Sequence, residues 1–87
     1  MRISNMTSAS GNTVPNQFIV VNRGTRYFQS YESMIAKVKG ETITLDKNYW
    51  DYSRTTSKYR NEFLGMNTGE IKAAIEAGEI KLKDLNK

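Results

Sequence analysis

Met34-Ile35-Ala36-Lys37-Val38-Lys39-Gly40-Glu41-Thr42-Ile43-Thr44-Leu45 is the stretch on which the fold turns. Its first half has two periods. Tyr31, Met34, Ile35 and Val38 fit a helix, whereas Met34, Ala36 and Val38 fit a strand. The second half resolves the conflict. If Gly40-Glu41 is a two-residue turn with glycine first, Val38 opposes Ile43 and Ala36 opposes Leu45, so both apolar pairs share one face. A β-hairpin over 34–45 is therefore expected. Upstream, Phe18-Ile19-Val20-Val21 and Arg26-Tyr27-Phe28 flank Asn22-Arg23-Gly24 and read as another hairpin, with Gly24 supplying the positive φ of a short loop.

Beyond Leu45 the pattern leaves the sheet. Asp46-Lys47-Asn48 reads as a loop, and Ser53 or Thr55 can cap a helix that runs to Leu64 and ends at Gly65 in a left-handed conformation. At 100° per residue, Tyr52, Thr56, Tyr59 and Phe63 form an inward stripe, opposite Arg54, Ser57, Lys58 and Asn61. Trp50 is expected as a lid on a small core. Asn67 with Glu70 has capping-box spacing, and Ile71, Ala74 and Ile75 mark the buried side of a second helix stopped at Gly78. Ile80 and Leu82 alternate with Lys81 and Lys83, as in a short edge strand or an extended tail docked by Leu85. The fold class expected is α+β, a small antiparallel sheet of two hairpins packed against two C-terminal helices. Residues 1–16 are polar and aperiodic and read as a flexible N-terminal arm, leaving 17–87 as a single domain.

Composition removes most chemistries. With no cysteine and no histidine in 87 residues, disulfides, thiolate or imidazole metal sites and His-dependent triads are unavailable. No apolar run reaches the roughly 20 residues of a membrane helix, and the first 16 residues lack the hydrophobic core of a signal peptide. The chain reads as a cytosolic protein without catalytic residues, metal or cofactor. Asp46, Asp51, Glu32 and Glu41 offer no pair of contrasting environments, and Thr55-Thr56-Ser57-Lys58 is explained by a helix start. The glycines follow no phosphate-loop spacing.

What remains is charge. Thirteen Lys and Arg against nine Asp and Glu give +4, and the excess lies between Arg2 and Arg60. Tyr49 to Arg60 carries Tyr, Trp, Ser, Thr, Arg and Lys at a density suited to nucleic acid, where cations neutralise phosphates and aromatic faces stack on bases. Because Tyr52, Tyr59 and Phe63 point inward on the wheel, the contact residues expected are Arg54, Ser57, Lys58, Arg60 and Asn61, joined by Arg23 and Arg26 at the first hairpin turn. Lys37, Lys39 and Lys47 stand near the second turn.

Phe28-Gln29-Ser30-Tyr31-Glu32-Ser33-Met34-Ile35-Ala36, followed by Trp50-Asp51-Tyr52-Ser53-Arg54-Thr55-Thr56-Ser57-Lys58-Tyr59 and Phe63-Leu64, resembles a family of short uncharacterised proteins of bacteriophages and other mobile elements. Those proteins share a "SYxSxIA" block and a "YSxTTSK" block. The similarity spans roughly Gln17 to Leu64. It implies a phage or mobile-element setting inside a host cell and no catalytic residue; many relatives have His where this chain has Tyr59. Two functions are expected: a nucleic-acid-binding or regulatory module using the basic helix face, or a protein-binding inhibitor of a host defence or nucleic-acid enzyme.

Overall fold

The computed structural model describes residues 1–86. The chain runs β1 (Arg2–Thr7), β2 (Thr13–Asn22), β3 (Thr25–Ser30), β4 (Ser33–Lys39), β5 (Thr42–Asp46), α1 (Arg54–Leu64), α2 (Thr68–Glu76) and β6 (Ile80–Lys83). The six strands form one sheet in the order in which they occur in the chain. β1 to β5 are an antiparallel meander, and β6 returns through both helices to lie parallel to β5. The architecture is thus α+β with a mostly antiparallel sheet, larger than the two hairpins expected.

The hairpin over 34–45 has the anticipated register. Val38 pairs with Ile43 and Ala36 with Leu45, and Gly40 takes the first turn position at φ 60°. In the β2–β3 hairpin the loop is one residue shorter than expected: Asn22 pairs with Thr25, and Arg23 and Gly24 both have positive φ, the requirement of a type I′ turn. A further hairpin joins β3 to β4. Ser30 pairs with Ser33, and Tyr31 turns the chain at φ 56°.

The expected N-terminal arm is instead sheet. Arg2 to Asn5 pair with Val21 to Phe18, and after a register shift Thr7 pairs with Thr13. Among the β1 side chains only Met6 enters the core, so this edge strand depends on backbone pairing that hydrophobic periodicity does not record. Pro15 causes no loss in β2, because it lies in the shifted stretch opposite β1 and beyond the last β3 partner.

Alternation sorts the sheet into two faces. On one, Phe28 stacks on Phe63 of α1 with ring centroids 5.9 Å apart. Phe28, Ile35, Ala36, Leu45, Ile71 and Ile80 are the best-buried apolar side chains, and Tyr59, Phe63 and Ala74 close over them from the helices. A bulge in β4 lets Ile35 and Ala36 both reach this core. Burial of each large side chain contributes about 1.5–3 kcal/mol. The other face carries no helix. Along it Ile3, Val20, Tyr27, Lys37, Thr44 and Lys81 form one cross-strand row over all six strands.

The caps follow the sequence. Ser53 accepts the Thr56 N–H at 3.1 Å, Gly65 ends α1 at φ 69°, and Asn67 and Glu70 form a reciprocal capping box. Past β6 the chain is fastened through Asn86, whose side chain bonds both the N–H and C=O of Met34 at 2.6 and 2.9 Å. Leu85 contributes its backbone N–H, which donates to the buried carboxylate of Asp46 at 2.8 Å. Asp46 also accepts from the backbone N–H groups of Asn48 and Tyr49 at 3.0 and 2.9 Å. One carboxylate therefore holds the exit of β5 and the segment after β6. Asp46→Ala leaves those three donors without their anion and is expected to lower unfolding stability by about 3 kcal/mol, read from the urea midpoint with unchanged slope.

Candidate nucleic-acid interface

The polar side of α1 supplies fewer free groups than the helical wheel assigned to it. Arg54 and Lys58 are exposed, with the Lys58 ammonium 5.2 Å from the ring centre of Tyr59. Ser57 is half-buried and donates to Asp51 at 3.0 Å. Asn61 is half-buried and turned to α2, where its amide donates to Thr68 at 3.1 Å. Arg60, expected at the surface, is completely buried.

Burial of Arg60 follows from its position. Thr56, Tyr59, Arg60 and Phe63 stand at i, i+3, i+4 and i+7 and form the buried side of α1. The guanidinium lies 5.3 Å from the Trp50 ring centre and donates to the Trp50 carbonyl. It also bonds Asn61 Oδ1 through Nε and Nη2 at 3.2 and 2.9 Å, Thr68 Oγ1 at 3.2 Å and Asp51 at 3.4 Å. Burial pulls its pKa below the usual arginine value, against the hydrogen bond and charge of the half-exposed Asp51. Every donor direction is used within the fold, so Arg60 is a clamp and not a contact residue.

The other expected residues disperse. Arg23 is exposed at the tip of the β2–β3 turn. Arg26 is exposed but lies on the helix side, 5.4 Å from the Phe63 ring centre. α1 runs along β3 with Thr56 at Ser30, 3.0 Å between hydroxyls, and Phe63 at Phe28, which sets Arg26 and Arg54 at opposite ends of the helix. Tyr52, assigned to the buried stripe, is 66 % exposed because it precedes the N-cap and escapes helical periodicity.

A denser basic surface lies on the helix-free face. Lys37 and Lys39 of β4 and Lys81 and Lys83 of β6 surround a shallow depression of about 210 Å³ floored by Thr42 and Thr44 of β5. Alternation turns all six the same way, with lysines about 7 Å apart along each strand and about 10 Å apart across β5. Tyr27 pairs directly with Lys37 in the same row. Among the described residues the ion pair within 4.0 Å is Arg60–Asp51, so these four ammonium groups have no carboxylate partner. Asp46, beside Lys83 in register, is occupied by backbone donors. The sequence sets Lys37 and Lys39 near a turn and Lys81 and Lys83 on a short strand, without joining the two pairs. The Lys81/Lys83 alternation was visible; the parallel pairing that brings it beside β5 was not.

At the far end of the sheet a larger open groove, about 850 Å³, lies between the β3–β4 turn and the segment before α1. Tyr31 and Glu32 line one side, Tyr49 and Tyr52 the other, with Phe18 and Asn16 from β2. The two sequence blocks meet here: Ser30 shares a hydrogen bond with Thr56, which also accepts from the Ser53 hydroxyl at 3.0 Å, while Tyr31 and Tyr52 line the same groove.

Fold and surface together define a small α+β domain with helices on one side of its sheet and a basic patch on the other. The chain belongs to DUF8033, a family of unknown function, whose model matches residues 1–80. That match includes β1 and both helices, beyond the 17–64 span of the resemblance. No curated protein and no solved structure matches the chain. Among the described residues, no helix is long and apolar enough to cross a membrane.

Arg60→Ala empties a buried site and strands the Trp50 carbonyl and Asn61 side chain; it is expected to cost about 3–4 kcal/mol. Arg54→Ala, at an exposed position, is expected to stay within about 0.5 kcal/mol of the parent. Chemical denaturation of the two variants side by side checks the assignment of clamp and surface.

Proposed function

We propose that the protein is a non-catalytic binding module that takes single-stranded nucleic acid on the helix-free face of its sheet. The observation that carries this reading is the convergence of Lys37, Lys39, Lys81 and Lys83, all without a carboxylate partner among the described residues, around Thr42 and Thr44. Four ammonium groups on strands flanking β5 match a run of phosphates, threonine hydroxyls donate to phosphate oxygens, and Tyr27 beside Lys37 offers a ring to an unstacked base. A sheet surface with basic side chains beside one aromatic ring suits a single strand better than a duplex, whose major groove takes a protruding helix or ribbon. α1 is not free to protrude, being held to the sheet by Tyr59 and Phe63 and to α2 by Arg60. Arg54 and Lys58 are secondary contacts in this reading. The resemblance to phage and mobile-element proteins supports action within a host cell, where nucleic acid is the abundant polyanion.

The test is fluorescence anisotropy of a labelled mixed-sequence oligonucleotide, single-stranded and duplex, over a salt series. Binding to the single strand is expected to weaken as salt rises, with a log–log slope of about −2 to −3 for three or four neutralised phosphates. The quadruple variant Lys37→Ala, Lys39→Ala, Lys81→Ala, Lys83→Ala should lose most of the affinity. The Arg54→Ala, Lys58→Ala pair should lose little. Absence of binding at low salt, or an unaffected quadruple variant, overturns the reading. If the patch instead retains an acidic host protein and neither oligonucleotide, the protein is an inhibitor acting on that protein.

A further inference from the structure

The groove at the other end of the sheet has the opposite electrostatic character. The chain has 13 Lys and Arg, yet none lines this groove, and its one charged residue is Glu32. Four of the other eight lining residues are aromatic, and Asn16, Ser30, Ser33 and Ile35 complete the walls. Tyr31 and Tyr52 are the two solvent-exposed aromatic side chains of the described chain, at 58 % and 66 %, and both face this space. Tyr49 and Tyr52 meet edge to face, ring centres 5.6 Å apart and planes at 74°, so two walls stand nearly perpendicular. Phe18 adds a further ring from β2. Ring faces carry negative charge density, and several of them around a carboxylate attract a cation and repel phosphate.

The backbone is committed to this arrangement. Tyr31 holds φ 56° and Asn16 φ 64°, a region where glycine sits without penalty and a tyrosine does not. The two are locked together by a 2.7 Å hydrogen bond from the Tyr31 N–H to the Asn16 carbonyl, and Gln29 donates to the Tyr31 carbonyl at 2.8 Å. A turn that glycine would make with less strain carries a large ring, and that ring stands exposed at the edge of the groove. Tyr31 makes no contact there that the core requires.

We propose that this groove binds an alkylammonium group, with Tyr31, Tyr49 and Tyr52 facing the cation and Glu32 balancing its charge. The site is independent of the lysine patch and takes a ligand of opposite sign. The same head group is presented by small quaternary amines and by methylated lysine side chains.

Nitrogen–proton NMR titration of the full chain tests this, with tetramethylammonium, a blocked trimethyllysine amide, and 3,3-dimethylbutanol as the neutral counterpart. Both cations should give saturable shifts centred on Tyr31, Glu32, Tyr49 and Tyr52. The neutral probe should bind at least about fivefold more weakly. Tighter binding of the trimethyllysine amide than of tetramethylammonium assigns the source to a peptide, and equal binding assigns it to a free amine. Glu32→Gln should weaken both cations several-fold. Tyr31→Gly should abolish the shifts while the melting temperature stays level or rises, which separates ligand binding from a packing role. The quadruple lysine variant should bind the cations as the parent does, so loss of nucleic-acid binding leaves this test intact. Equal affinity for the neutral probe, or no saturable shift with either cation, overturns the proposal.

Discussion

The fold depends on one buried guanidinium. Arg60 is the largest side chain wholly removed from solvent, and its donors connect the Trp50 backbone, Asn61 within α1, and Thr68 at the start of α2. Taking such a group out of water is costly unless nearly every N–H is satisfied, and here they are. The result is a rigid crossover. The guanidinium ties α1 to the segment that precedes it and to the start of α2, and the crossover so held ends with β6 paired to β5. The position of Lys81 and Lys83 beside Lys37 and Lys39 is thus a distant consequence of an arginine on the other side of the sheet.

That clamp also redistributes charge. A chain with an excess of cations has committed one of them to its interior and laid another, Arg26, across Phe63. Four of its eight lysines, Lys37, Lys39, Lys81 and Lys83, gather on the face that no helix covers. At the opposite end the one charged residue lining the groove is Glu32. The molecule has a polarity along its strands that a net charge of +4 does not convey.

Much of this was legible in the residues, and the exceptions have causes. Glycines and caps act locally, so the 34–45 register, the Ser53 cap, the Gly65 stop and the Asn67–Glu70 box could be read directly. The β3–β4 turn could not, because Tyr31-Glu32 lacks the glycine, asparagine or proline that announces a turn. β1 was hidden because backbone pairing leaves little trace in side chains that face solvent. Arg60 carries two opposed signals: its spacing from Thr56 and Phe63 marks it as inward, and its charge argues for exposure. The lysine patch was half visible, since alternation reveals a strand's face and never its neighbour.

Strand order follows chain order in this sheet, and that has a consequence for how the surface comes into being. Each of β2 to β5 can pair with the strand just before it across a short turn, a sequence of local events that proceeds quickly and in order of synthesis. β6 alone must wait for a crossover, because a parallel partner cannot be reached by a tight turn. Lys37 and Lys39 lie in the locally paired meander, whereas Lys81 and Lys83 join them only through the long-range β5–β6 pairing. The complete basic surface therefore exists only where the meander and the crossover are both formed.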